Sequence, residues 1–153
     1  MISIVKVTSA DLSEVVKLVQ LLLTELGGTN AGSSSADSNS ILSRMNADEL
    51  DHTAFLAQDV EGKSVGVITV VETFAIYAGG KYGIINEMYV APEYRSQNIG
   101  QQLIDAVKNL AQERGWARVD VTAPPEQQWK RSVQFYESNG FVFTGPKLKF
   151  KLT

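Results

Sequence analysis

Residues 2–8, ISIVKVT, alternate apolar and polar side chains and are rich in β-branched residues, which predicts a strand. The period then lengthens. Leu12, Val15, Val16, Val19, Leu22, Leu23 and Leu26 recur at helical spacing, with capping groups at Thr8, Ser9 and Asp11 and a stop at Gly27-Gly28. Residues 40–50, SILSRMNADEL, predict a second, short helix. TAFLAQDV (53–60) and SVGVITVVETFAIY (64–77) predict two strands joined by a turn around Glu61-Gly62-Lys63. GGKYG (79–83) predicts a turn into IINEMYVA (84–91), the next strand of an antiparallel meander that Pro92 ends.

A helix follows, with Ile99, Leu103, Ile104, Val107, Leu110 and Ala111 on one side and Gly115 as its stop. ARVDVTA (117–123) predicts a strand, residues 129–139 a short helix closed by Gly140, and FVF (141–143) a further strand. KLKFKLT (147–153) alternates strictly, placing Lys147, Lys149 and Lys151 on one face, as expected of a solvated strand face or a protected edge. The order is β-α-α-β-β-β-α-β-α-β-β: one mixed α/β domain over residues 1–153, without internal repeat. Residues 27–40, GGTNAGSSSADSNS, are the low-complexity stretch, expected to be either a surface linker or a lid over a site.

Composition narrows the chemistry. With 44% hydrophobic and 20% charged residues in 153, a packed core is expected. A net charge of -3 argues against nonspecific nucleic-acid binding. The absence of cysteine excludes disulfides, thiolate metal sites and a cysteine nucleophile, and one histidine, His52, cannot build a multi-histidine metal site. No apolar run is long enough to span a bilayer and no charged leader precedes the first strand, so the expectation is a cytoplasmic domain without membrane contact.

The stretch EYRSQNIGQQLI (93–104) joins a strand to a helix through an Asn-Ile-Gly turn. Helix N-termini present unpaired N–H groups and a partial positive charge, so anions settle there. Asn98 and Gly100 tolerate unusual backbone angles that let N–H groups converge, and Arg95 adds a full charge. No Gly-Lys-Ser/Thr follows and the three-glycine spacing is missing, which excludes a P-loop and a dinucleotide fingerprint.

INEMYVAPEYRSQNIGQQLIDAV (85–107) resembles the acetyl-CoA signature of the GNAT superfamily of N-acetyltransferases, a strand ending in hydrophobic-Val-x-Pro-x-Tyr-Arg and then Arg/Gln-x-x-Gly-x-Gly/Ala opening a helix. SVQFYESNGF (132–141) resembles the family's Ala-x-x-x-Tyr-x-x-x-Gly-Phe, and the order of elements agrees along the chain. Two departures stand out: Asn98 replaces the first motif glycine, and Trp129 stands where an asparagine that touches the cofactor is common.

The resemblance implies acetyl transfer from acetyl-CoA to a primary amine of a small molecule or peptide by direct attack in a ternary complex, without a metal. The backbone of Met88, Tyr89 and Val90 is then expected to bind the pantetheine amides and polarise the acetyl carbonyl. The pyrophosphate is expected on N–H groups of Gln97, Asn98, Ile99, Gly100 and Gln101, beside Arg95 and Ser96. A primary amine, with a pKa near ~10.4, must lose a proton before attacking, and the departing thiolate benefits from a proton donor. Tyr136 matches the family tyrosine that reaches the CoA sulfur. Glu87 is the candidate base, with an ordered water, aligned by Asn86, or Glu72 as the alternatives; His52 lies outside both motifs and is expected to be a surface or structural residue. Phe74, Ile76, Tyr77, Tyr82, Asp48, Glu49 and the 27–40 loop are candidates to receive the acceptor, and a homodimer is a family-level expectation. Two other functions fit the same residues: an acyl-CoA sensor without turnover, and a general phosphate- or nucleotide-binding domain, in which the tyrosine-glycine-phenylalanine motif has no role.

Overall fold

A computed structural model of the chain describes residues 1–27, 38–45, 51–122, 130–145 and 147–152. Most of the 27–40 stretch, together with Asp48, Glu49 and Trp129, lies outside the described residues. The elements are β1 (Ser3–Lys6), α1 (Leu12–Gly27), α2 (Ser38–Met45), β2 (His52–Gln58), β3 (Ser64–Ala75), β4 (Gly80–Val90), α3 (Ile99–Arg114), β5 (Val119–Val121) and α4 (Lys130–Ser138). They form one sheet in the order β1-β2-β3-β4-β5. The first four strands are antiparallel; β5 is parallel to β4, and α3 supplies the crossover such a pair requires.

Alternation decides what each face buries. Ala54 and Leu56 of β2, Val67 of β3 and Tyr89 of β4 turn to one face, where Val15 and Leu18 of α1 close over them. Ile68, Val70 and Ile85 turn to the other, against Leu103, Ile104, Val107 and Tyr136 from α3 and α4. The α3 face reaches into the crossover. Gly115 stops α3 in a left-handed conformation (φ 68°), and Trp116 then lies against β4. There a Cβ on Gly83 would come within 2.3 Å of the Trp116 ring, so only glycine fits. The indole N–H of Trp116 donates to Glu72 at 2.6 Å.

Three sequence expectations change. The turn expected at 79–83 lies at 76–79, because Ala75 pairs with Gly80 and Phe74 with Lys81, drawing Gly80–Gly83 into β4. Neither FVF nor KLKFKLT forms a strand among the described residues. Alternation specifies a strand only where a sheet edge offers a ladder, and β5 is three residues long, paired with β4 alone. Leu148 and Phe150 are 91% and 88% exposed. No helix among the described residues is long and apolar enough to cross a membrane.

Candidate active site

The parallel ladder between β4 and β5 ends at Ile85–Val121, whereas β4 continues to Val90. Among the described residues, 86–90 therefore have no β5 partner and no strand covers their backbone edge, where the Val90 carbonyl accepts from Arg95. Of Met88, Tyr89 and Val90, the Ala91 amide bonded to the Val65 carbonyl shows by alternation that Met88 and Val90 turn their N–H and C=O groups to this edge, whereas those of Tyr89, expected there too, belong to the β3 ladder. The other edge stays paired with β3 through Ile68, Val67 and Gly66.

A β-bulge decides where Glu87 points. Thr69 pairs with Glu87 but Val70 pairs with Ile85, which leaves Asn86 as the extra residue. Gly83 and Ile85 turn to the α3 face; beyond the bulge Met88 and Val90 take that face, and Glu87 and Tyr89 take the α1 face. Were Asn86 paired in regular register, Glu87 would share the face of Ile85 and its carboxylate would point into the apolar α3 core. Bulges re-aim side chains in this way beside active sites. Thr69 secures the result. Its hydroxyl donates to the Glu87 carboxylate and accepts the Glu87 amide N–H at 3.1 Å.

After β4, a short turn (Pro92–Tyr94) leads into the loop before α3. Ser96 (φ 66°) and Asn98 (φ 63°) are both left-handed, the conformation a converging set of amides requires. Gly100, by contrast, is helical. Its Cβ position would meet the Phe135 ring of α4 at 3.1 Å, so its smallness serves helix packing. The Asn98 side chain makes no capping bond. The first helical bond runs from the Gln102 amide to the Asn98 carbonyl at 3.1 Å. The amides of Ile99, Gly100 and Gln101 thus have no intrahelical acceptor. Gln97 sits between the two left-handed residues and lines an open groove of about 600 Å³ beside the loop, with Tyr94 and Gln102.

Arg95 is elsewhere engaged. Its Nε donates to the Val90 carbonyl at 2.8 Å, and its Nη2 reaches both Glu25 carboxylate oxygens, at 2.8 and 3.0 Å, on α1. The guanidinium also covers the Tyr89 ring, 5.5 Å from its centre. The partner Glu25 carries no motif signal in the sequence.

Tyr136 is 9% exposed and makes edge-on contacts with Phe135 and Phe141 at 5.4 and 5.5 Å. Burial pushes its hydroxyl up to about 12, so the group holds its proton at neutral pH. It shares the α3-face core with Met88 and Val90. Tyr136 and Glu87 therefore lie on opposite faces of the sheet, with the open edge of β4 between them.

The remaining candidates separate. Glu72 lies on the α3 face, held by Trp116, with Arg114 and Lys81 each 4.0 Å away, which removes it as a base. Tyr77 and Tyr82 share a hydroxyl contact of 3.0 Å under the Arg118 guanidinium. Tyr82 precedes Glu87 by five residues on β4, about 16 Å at ~3.3 Å per residue, and Phe74 and Ile76 lie at the same far end. His52, by contrast, opens β2 on the α1 face and lies within the electrostatic reach of Glu87. Its spacing in the sequence carries no sign of this, because strand register is a tertiary property. Among the described residues no cluster of histidine and carboxylate side chains could hold a metal ion.

The profile of the Acetyltransferase (GNAT) domain matches residues 51–143, and the chain belongs to this family. An uncharacterized N-acetyltransferase of Archaeoglobus fulgidus is 31% identical over 65 residues, 42% of this chain and 44% of that protein. The uncharacterized N-acetyltransferase YhfO of Bacillus subtilis is 26% identical over 93 residues, 61% of each chain. The matched region thus spans less than two thirds of either relative. Among solved structures, an aminoglycoside acetyltransferase from an uncultured soil metagenomic sample, in complex with sisomicin, has the same fold, with a TM-score of 0.78 at 23% identity over 99% of this chain and 95% of that one.

Proposed function

We propose that the protein is an acetyl-CoA-dependent N-acetyltransferase acting on a primary amine of a small molecule or peptide. The observation that carries this reading is the continuity of the open β4 edge, residues 86–90, with the uncapped loop and helix start at Arg95–Gln101. An extended ligand with amides at one end and a pyrophosphate at the other fits both. Met88 and Val90 would offer backbone partners to the pantetheine amides, with Tyr89 holding the strand to β3 between them. The amides from Gln97 to Gln101 would hold the pyrophosphate. When bound, acetyl-CoA supplies a thioester carbonyl as the electrophile.

The chain's own groups then divide the proton work. Glu87, on the α1 face, receives a proton from the incoming ammonium. The free amine forms the new C–N bond as the C–S bond breaks. Tyr136, protonated and on the opposite face, gives its proton to the departing sulfur and is reprotonated from solvent. The amide product releases one further proton, so the sum is ammonium plus thioester to amide, thiol and one proton. A β4 backbone N–H directed at the carbonyl oxygen would stabilise the charge that gathers there.

The test has two arms. A melting shift with acetyl-CoA but not ATP is expected; at one hundred times the dissociation constant it corresponds to about 2.7 kcal/mol. Thiol release is then measured over a panel of amines, led by aminoglycosides, polyamines and peptide N-termini. Stabilisation by ATP alone would identify a nucleotide domain, and stabilisation by acetyl-CoA without thiol release from any amine would identify a sensor.

A further inference from the structure

Three residues on three adjacent strands share the α1 face. Ala54 of β2 pairs with Thr69 of β3, and Thr69 pairs with Glu87 of β4. His52 pairs with Val71 and stands two residues from Ala54, on the same face and diagonal to Thr69. Diagonal neighbours across a sheet lie roughly 7–8 Å apart, within reach of long and aromatic side chains. Glu87 does not stand upright from β4: its carboxylate is bonded to the Thr69 hydroxyl and so leans over β3 toward β2. His52 is half-buried beneath this arrangement.

We propose that Glu87, Thr69 and His52 act as one proton-handling unit, in which Thr69 fixes the Glu87 carboxylate and His52 is the positioning residue that shares the amine's proton behind it. This rests on the reading of Glu87 as the group that meets the acceptor. The Thr69 hydroxyl holds the Glu87 carboxylate in place over β3. An imidazole behind it offers a second place for the proton, from which it leaves to solvent. The balance is unchanged: the ammonium loses one proton, which passes from Glu87 to His52 and then to water, and both groups return to their starting state.

The surroundings suit the role. Burial holds the His52 imidazole below its usual 6.5, and Glu87 opposes that by favouring the charged form. The ring is therefore neutral and able to accept at pH 7. α1 and α2 turn apolar residues to this face, Val15, Leu18, Leu22 and Met45 among them, so among the described residues Glu87 is the charged group whose field reaches the ring. Asp51 precedes His52 and gives its carbonyl to the Glu72 amide at 2.9 Å.

The chain has one histidine, so its ring Cε1–H resonance is unambiguous. An NMR pH titration of the wild type is expected to place His52 below 6.5, the reference for the free side chain. Glu87→Gln is expected to lower that midpoint further, since the charge favouring the imidazolium is gone. In steady-state kinetics on the amine identified by the panel, His52→Gln is expected to lower kcat about tenfold, below the ~10²-fold loss typical of removing a general base. The amine KM and the acetyl-CoA dissociation constant should stay within about twofold, and the acid limb of the kcat profile should shift. If kcat is unchanged in Glu87→Gln, the base assignment fails and this inference with it. A lowered kcat in Glu87→Gln with an unmoved histidine midpoint, or a wild-type profile in His52→Gln, overturns the role of His52 alone. The titration leaves position 52 intact, so the inference stays testable even where His52→Gln does not fold.

Discussion

The two faces of β4 are built for different tasks. The α3 face is closed: Trp116, Leu103, Ile104 and Tyr136 fill it, and Gly83 is the gap that admits the indole. The α1 face carries a polar ledge of Glu87, Thr69 and His52 at the end of its apolar floor. The bulge at Asn86 separates them, since it breaks the alternation that would otherwise put Glu87 on the closed face with Ile85. A buried charge on the closed face would be costly, while the same carboxylate one register step away is hydrogen-bonded and reachable. Which face a side chain takes is decided by the ladder, and a bulge changes that at the expense of a single residue in it.

The comparison breaks first at Tyr136, the polar hydroxyl on the closed face. Tyr136→Phe is expected to lower kcat by ~10², the lower end for a general acid, because a thiolate leaves fairly well unaided. Acetyl-CoA affinity by calorimetry should be nearly unchanged, since the ring and its contacts with Phe135 and Phe141 remain. Wild-type turnover in this variant, with chemistry rate-limiting, would return Tyr136 to a packing role.

A smaller effect tests the closure itself. Gly83→Ala puts a methyl group into the Trp116 ring and is expected to cost about 1–3 kcal/mol of stability in urea unfolding, as overpacked cores do. Because Trp116 also donates to Glu72, a movement of the indole should appear in its fluorescence. An unchanged midpoint would mean that the ring yields freely and that the α3 face is less tightly built than the ledge.

The smallest effect concerns the strap between α1 and the loop. Arg95 and Glu25 are both substantially exposed, so their pair is worth only about 0.2–1 kcal/mol. If Arg95 turns to the pyrophosphate when acetyl-CoA binds, Glu25 competes with the ligand. Glu25→Gln is then expected to tighten acetyl-CoA binding about two- to fivefold, by calorimetry at low salt. Weaker binding would show instead that Glu25 holds Arg95 and the loop in their working form.

The local patterns were legible because they depend on near neighbours. The helical spacing of Ile99, Leu103, Ile104 and Val107 buries one side of α3 as expected, and the strand-turn-helix character of residues 84–114 is visible in the turn residues themselves. Asn98 was expected to tolerate a left-handed backbone, and it is left-handed. The expectation failed where a partner was needed. KLKFKLT alternates as a strand should, yet no ladder receives it among the described residues. Gly100 was expected to take up an unusual backbone angle in the loop; it is helical instead, and its missing Cβ makes room for Phe135, thirty-five positions further along the chain, which no local signal announces.

What the amino-acid sequence alone determined about this protein is its series of elements as far as α4, its α/β class and the family to which it belongs, since each rests on residue types at fixed short spacing. The tertiary structure alone decided three things: that Asn86 is a bulge, that Glu87 leans onto Thr69, and that Arg95 is tied to Glu25. Register and side-chain direction are set by the packing of whole strands between α1 and α3. The juxtaposition of His52 with Glu87, thirty-five residues later in the chain, exists only once β3 lies between them.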